Sequence, residues 1–214
     1  MDRKFVPYSV ARADIHDADL LLFQAKSSAF SKIISVAGRS EYSHAATAAW
    51  WGDSRADGDL FCLEVVEWHG GRAETLSSQV DLCPGVIDVF MPNAMGGLGY
   101  NPGAVVRYMR RLTGCRYGWF NIFRVSLMHL PFIREFVRPD TDISHRDKHP
   151  PFCSQARVEA DEAGGGFPVM DLARSPFYRY KFTLIPDALV AHTSLWFELE
   201  SQRIGRLRAN PATI

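Results

Sequence analysis

Apolar residues fall mostly in short runs cut by glycine, proline and aspartate, a pattern that predicts several strands and few helices. The run Ala18-Asp19-Leu20-Leu21-Leu22-Phe23 reads as a short buried strand. Phe30, Ile33, Ile34 and Ala37 then recur at helical spacing, and Gly38 supplies a stop. Three strand candidates follow: Ser43 to Trp51, Leu60 to Trp68, and Val86 to Met91. Asp57-Gly58, Gly70-Gly71, Pro84-Gly85 and Pro92 punctuate them, which predicts an antiparallel sheet. Pro102 to Cys115 reads as a helix, with Pro102 in the first turn and Val105, Tyr108, Met109 and Leu112 on one face. A second helix spans Ser154 to Ala163 and closes at Gly164-Gly165-Gly166. Phe182 to Ile185 is a last strand candidate, and Pro186-Asp187-Ala188-Leu189 starts a helical turn.

These elements predict an α+β fold in one domain of 214 residues, with a core over about residues 18–195 and a polar tail over 198–214. The sheet is expected to be small, antiparallel and barrel-like at one end, packed against the helix that begins near Cys153. Tyr117 to Val137 is rich in aromatic and aliphatic residues. Arg124, Pro131, Arg134 and Glu135 interrupt it, so it is too broken for a membrane span and reads as core. Arg138 to Pro151 is polar and proline-bearing, hence a loop.

Composition supports a folded globular protein, at 47% hydrophobic and 22% charged residues. The 24 basic and 24 acidic side chains cancel, which argues against nucleic acid or an anionic membrane surface as partner. The first residues are polar with no apolar signal segment, so a cytoplasmic site of synthesis is expected. The four cysteines, Cys62, Cys83, Cys115 and Cys153, show no CxxC spacing, and no metal site or cofactor is expected from them. Cys62 and Cys115 read as buried free thiols and Cys83, beside Pro84-Gly85, as a turn residue.

Cys153 is different. It stands where Pro150-Pro151-Phe152 hands over to a helix, and a helix N-terminus favours a thiolate and offers N–H groups to an oxyanion. A cysteine nucleophile also needs a base and a group to orient that base. His44, flanked by the small residues Ser43, Ala45 and Ala46, is the candidate base. Glu64 and Glu67 are candidates for the third group. Glu64 is preferred, because an unpaired carboxylate among Leu63, Val65 and Val66 would be costly. His149 lies four residues before Cys153, and His145 to His149 has ligand-like spacing for zinc if helical, but its proline-rich setting reads as a solvated loop.

Four blocks in order, Leu20-Leu21-Leu22-Phe23, Tyr42-Ser43-His44-Ala45, Phe61-Cys62-Leu63-Glu64-Val65 and Phe152-Cys153-Ser154-Gln155, resemble those of the circularly permuted NlpC-type papain-like enzymes, the YiiX group. Ile185-Pro186-Asp187-Ala188-Leu189 matches a later proline–aspartate block of that group. Papain runs cysteine first and histidine later, whereas here the histidine block comes first, as the permutation requires. Ala18 stands where the family commonly has glycine, and Gln155 where an acidic residue is common.

The resemblance implies a cysteine peptidase or amidase with Cys153 as nucleophile, His44 as base and Glu64 as the orienting residue. Tyr42, Ser154 and Tyr117 are candidates to line the substrate site. A cell-wall peptide amide is the first substrate class implied. A lipid acyl hydrolase or acyltransferase is the second, since permuted members resemble lecithin:retinol acyltransferase. A non-catalytic cell-wall-binding or virion module is the third reading.

Overall fold

In the computed structural model the described residues are 2–24, 41–52, 58–93, 99–118, 150–166 and 172–189. They form a mixed α+β fold around one seven-stranded sheet. The strands are β1 (Phe5–Pro7), β2 (Leu20–Gln24), β3 (His44–Trp51), β4 (Asp59–Val66), β5 (Gly70–Thr75), β6 (Val86–Pro92) and β7 (Tyr178–Ile185). The helices are α1 (Tyr8–Ala11), α2 (Leu76–Leu82), α3 (Pro102–Arg111) and α4 (Cys153–Ala163), with single 3₁₀ turns at Arg12–Asp14 and Leu172–Arg174.

The strand order is β1-β7-β6-β2-β3-β4-β5. Every pairing is antiparallel except that of β1 with β7, which is parallel. The order is linear, with β1 and β5 at its edges, so the barrel-like closure expected from sequence is not among the described pairings.

Both faces of the sheet are covered, which explains why β2 is a continuous apolar run rather than an alternating one. On one face Leu21, Phe23, Ala46, Ala48, Trp50, Cys62, Ile87 and Val89 pack with Leu76 and Val80 of α2 and with Ala11 and Ile15 from the N-terminal segment. On the other face Ala49, Leu63 and Val65 pack with Val105, Val106 and Met109 of α3 and Ala156 and Ala160 of α4. The alanines are the reason α4 sits close. Small side chains on β3 and on the facing side of the helix leave little between the two backbones.

The sequence reading placed β2, β3, β4, β6, α3 and α4 and missed β1, β5, α1 and α2. Gly70 and Gly71 read as a turn but begin β5. Their missing side chains have a specific use. A Cβ on Gly71 would meet the Leu112 carbonyl oxygen at 1.8 Å, and one on Gly70 the Cys115 carbonyl oxygen at 1.9 Å. The strand is thereby bonded to the end of α3, with Gly71 N–H donating to Cys115 O (2.9 Å) and Gly114 N–H to Gly71 O (2.7 Å). The turn itself is residues 67–69, with Trp68 in the left-handed region at φ 70°.

Helix α3 stops at Arg111 rather than Cys115, and Gly114 follows at φ 85°. Its start is capped as the Asn-Pro pair allows, the Asn101 side chain accepting from Ala104 N–H at 3.1 Å. Strand β7 begins at Tyr178, earlier than Phe182. The expected helix over 30–37, the apolar stretch beyond Gly118, the loop up to His149 and the polar tail lie outside the described residues. Among the described residues no helix is long and apolar enough to cross a membrane.

Candidate active site

The register of β3 and β4 places Ala46 opposite Glu64. His44, two residues before Ala46, therefore shares that face and is Glu64's diagonal neighbour. The two side chains meet, with His44 Nε2 2.6 Å from Glu64 Oε2. Glu64 is buried at 3% exposure. Its other oxygen, Oε1, accepts from Arg72 Nε and Nη2, both at 2.8 Å, and Arg72 stands opposite Glu64 in the β4–β5 register.

Cys153 is the first residue of α4 and is buried. Phe152 occupies the N-cap position and no side chain caps the helix. The Cys153 thiol lies within electrostatic reach of the His44 ring, whose Nε2 is held by the Glu64 carboxylate. Phe23 packs against the same ring with centroids 5.2 Å apart.

These contacts set the charges. Burial alone would lower the basicity of His44, but its interactions with Cys153 and with Glu64 outweigh it and push the imidazole up to about 10. Burial likewise works to raise Glu64, yet the His44 bond, the His44 charge and Arg72 hold it below the ordinary carboxylate value. The other three thiols are pushed up by burial, Cys62 well up. All four cysteines are free. Cys62 is buried as expected, Cys115 is only partly so, and Cys83 closes the C-terminal end of α2.

The remaining sequence candidates divide. Tyr117 is buried within electrostatic reach of Cys153, and burial together with the charges of Cys153 and Glu67 keeps its phenol protonated far above neutral pH. Gly118 holds this segment beside the start of α4. Its N–H donates to Pro151 O at 3.1 Å, and a Cβ there would meet Pro150 O at 2.1 Å. Ser154 follows Cys153 in the first turn of α4 and is partly exposed. Glu67 has left β4 for the turn, so it is Glu64 that the structure brings against His44.

Tyr42 lies in a second buried network. Its ring packs with Leu20, Leu22, Phe90 and Val158, and its hydroxyl donates to Asp88 Oδ2 at 2.6 Å. Asp88 is fully buried and also accepts from Thr183 and Arg3. Tyr42 thus takes part in a buried polar network inside the fold. Gln155 also turns away and donates to Glu159 at 2.8 Å along its own helix. His145 and His149 lie outside the described residues, among which no cluster of three or more His, Cys, Asp or Glu is placed to hold a metal ion.

Two features escaped the sequence reading. Arg72 was hidden because β5 was read as a turn. Arg157, one turn after Cys153, is fully buried. It donates to Thr47 Oγ1 (3.0 Å), Ala18 O (2.8 Å), Asp161 Oδ1 (3.0 Å) and Tyr178 Oη (3.1 Å). The Arg157-x-x-x-Asp161 spacing on a helix is the signal that could have found it.

No family model matches the sequence, and no curated protein matches it. Among solved structures, the metalloprotein YiiX of Escherichia coli O157:H7, from the DUF1105 group, is a weak neighbour. It aligns with a TM-score of 0.46 and 14% identity over 80% of this chain and 98% of YiiX.

Proposed function

We propose that this chain is a thiol hydrolase of permuted papain-like fold that cleaves an amide bond in a cell-wall peptide through a thioester intermediate. The observation that carries the reading is one ring, His44, bonded to a buried carboxylate and within electrostatic reach of a thiol at a helix start. The substrate class rests on the sequence blocks that resemble the NlpC-type enzymes.

His44 takes the Cys153 proton, and the sulfur attacks the carbonyl carbon. The resulting oxyanion is held by backbone N–H groups at the start of α4, where the helix dipole is also favourable. The C–N bond breaks as His44 returns its proton to the leaving amine, leaving a thioester on Cys153. His44 then deprotonates a water that attacks the thioester, releasing the acid and restoring the thiol. Glu64 accepts from His44 Nε2–H throughout, which keeps the opposite ring nitrogen directed at sulfur and stabilises the imidazolium.

The test is incubation with peptidoglycan-derived peptides carrying γ-glutamyl and diamino-acid links, and with short-chain acyl esters, using Cys153→Ala as control. Peptide cleavage lost in that variant is the expected result. Cleavage unchanged by it overturns the mechanism. Ester turnover without peptide cleavage moves the protein to the lipid acyl class. Wall binding without either activity makes it a binding module. Iodoacetamide near neutral pH should label Cys153 faster than Cys62, Cys83 and Cys115.

A further inference from the structure

Glu64 carries a negative charge in a place where water hardly reaches, and a buried carboxylate is stable there only if its lone pairs are matched. The two oxygens are matched differently. Oε2 is reserved for His44, while both donors from Arg72 go to Oε1. The guanidinium therefore satisfies the carboxylate without competing for the oxygen that orients the imidazole.

The arrangement is built into the backbone. Arg72 stands directly opposite Glu64 across the β4–β5 ladder. Its strand cannot drift, because Gly70 and Gly71 lie against the carbonyls that end α3. Arg72 also approaches Glu74 Oε1 at 3.7 Å, and its side chain is 30% exposed, so the guanidinium spans from the buried carboxylate to the protein surface.

We propose that Arg72 is a positioning residue of this site, holding Glu64 ionised and turned so that Oε2 stays on His44. The inference deepens the hydrolase reading and rests on it for the chemical role. With Cys153 as thiolate and His44 as imidazolium, the row Cys153, His44, Glu64, Arg72 alternates minus, plus, minus, plus and sums to zero. Without Arg72 it holds one uncompensated negative charge beside the sheet, and Glu64 is the member that relieves it by taking up a proton.

Among the described residues, the groups that bear on this are few. Glu64 meets His44 from β3, Arg72 from β5 with Glu74 behind it, and Cys62 on its own strand. His44 adds Cys153 from α4 and the more distant Cys83 at the end of α2, and Cys153 and Glu67 each act on Tyr117. Arg72 is the one cation among these besides the His44 imidazolium.

The experiment follows the His44 ring proton bonded to Glu64 by NMR, on acidification, in the wild type, Arg72→Lys and Arg72→Gln, with Glu64→Gln as the reference that lacks the bond. The signal is expected to vanish at higher pH in Arg72→Gln than in the wild type, with Arg72→Lys between them. In parallel, kcat on the cleaved peptide should fall about 10–100-fold in Arg72→Gln with KM unchanged, and Arg72→Lys should recover part of it. If Arg72→Gln does not fold, the shift is read from Arg72→Lys, which keeps the charge. A ring signal that titrates as in the wild type overturns the assignment, whatever the activity. A shifted signal with turnover that survives Cys153→Ala overturns the hydrolase reading and leaves Arg72 as the residue that keeps Glu64 charged.

Discussion

Two ionic networks meet on helix α4, one turn apart, and they differ in what they leave open. Arg157 is sealed, at 0% exposure, with every described donor aimed at a group fixed in the fold: the Ala18 carbonyl, the Thr47 hydroxyl, the Tyr178 phenol and the Asp161 carboxylate. The His44 row is open at one end through Arg72 and ends at the other in a thiol. Both networks contain buried charges held away from their ordinary protonation behaviour. The contrast shows that burial and perturbed charge do not themselves mark a reactive site. What separates the two is that only the His44 row ends in a thiol, the group on which the proposed mechanism turns.

The largest expected effect separates the two directly. Arg157→Met leaves Asp161 buried without its cation and should cost about 3–5 kcal/mol by urea denaturation. Cys153→Ala removes a small buried group and should cost about 1 kcal/mol, while abolishing peptide cleavage. Equal losses of stability in the two variants would erase the distinction drawn between the networks.

A smaller effect tests which carboxylate belongs to the row. Glu64→Gln should lower cleavage on the order of 100-fold, and Glu67→Gln should leave it within about 2-fold. The pH dependence of stability should change with it. His44 has a folded value near 10 against about 6.5 when unfolded, so its contribution is complete below about 6.5 and is lost as pH rises toward about 10. Glu64 is depressed, so its contribution is present above its unfolded value of about 4.5 and is lost as pH falls below that. Without the Glu64 charge the folded His44 value drops, and the alkaline loss should flatten in Glu64→Gln. Denaturation curves at several pH values between 6 and 10 give the answer, and an undiminished alkaline slope would separate His44 from Glu64.

The smallest effect concerns Tyr42. Tyr42→Phe removes one donor from Asp88, which keeps Arg3 and Thr183, so a loss of about 1 kcal/mol is expected with cleavage unchanged. Lost cleavage at full stability would place Tyr42 at the substrate site.

The pairing of His44 with Glu64 was legible because both stand in strongly patterned strands, and a carboxylate among Leu63, Val65 and Val66 needs a partner. Cys153 was legible for a similar reason, since prolines before a helical run mark a helix start. Arg72 and β5 were not legible. Glycine pairs signal turns in general, and what makes Gly70 and Gly71 a strand is the end of α3, forty residues later in the chain. Strand β1 was hidden for the same physical reason. Its parallel partner, β7, lies at the other end of the sequence, and three residues carry no period of their own. The bond of Tyr42 to Asp88 was not legible, because Asp88 lies on β6, a strand that neighbours β2 and not β3.

The bond between Gly118 and Pro151 has a consequence beyond the placing of Tyr117. It ties two points far apart in the chain to one place beside Cys153. A side chain added at Gly118 would therefore push on the residues that lead into α4, and be felt at the thiol without touching it.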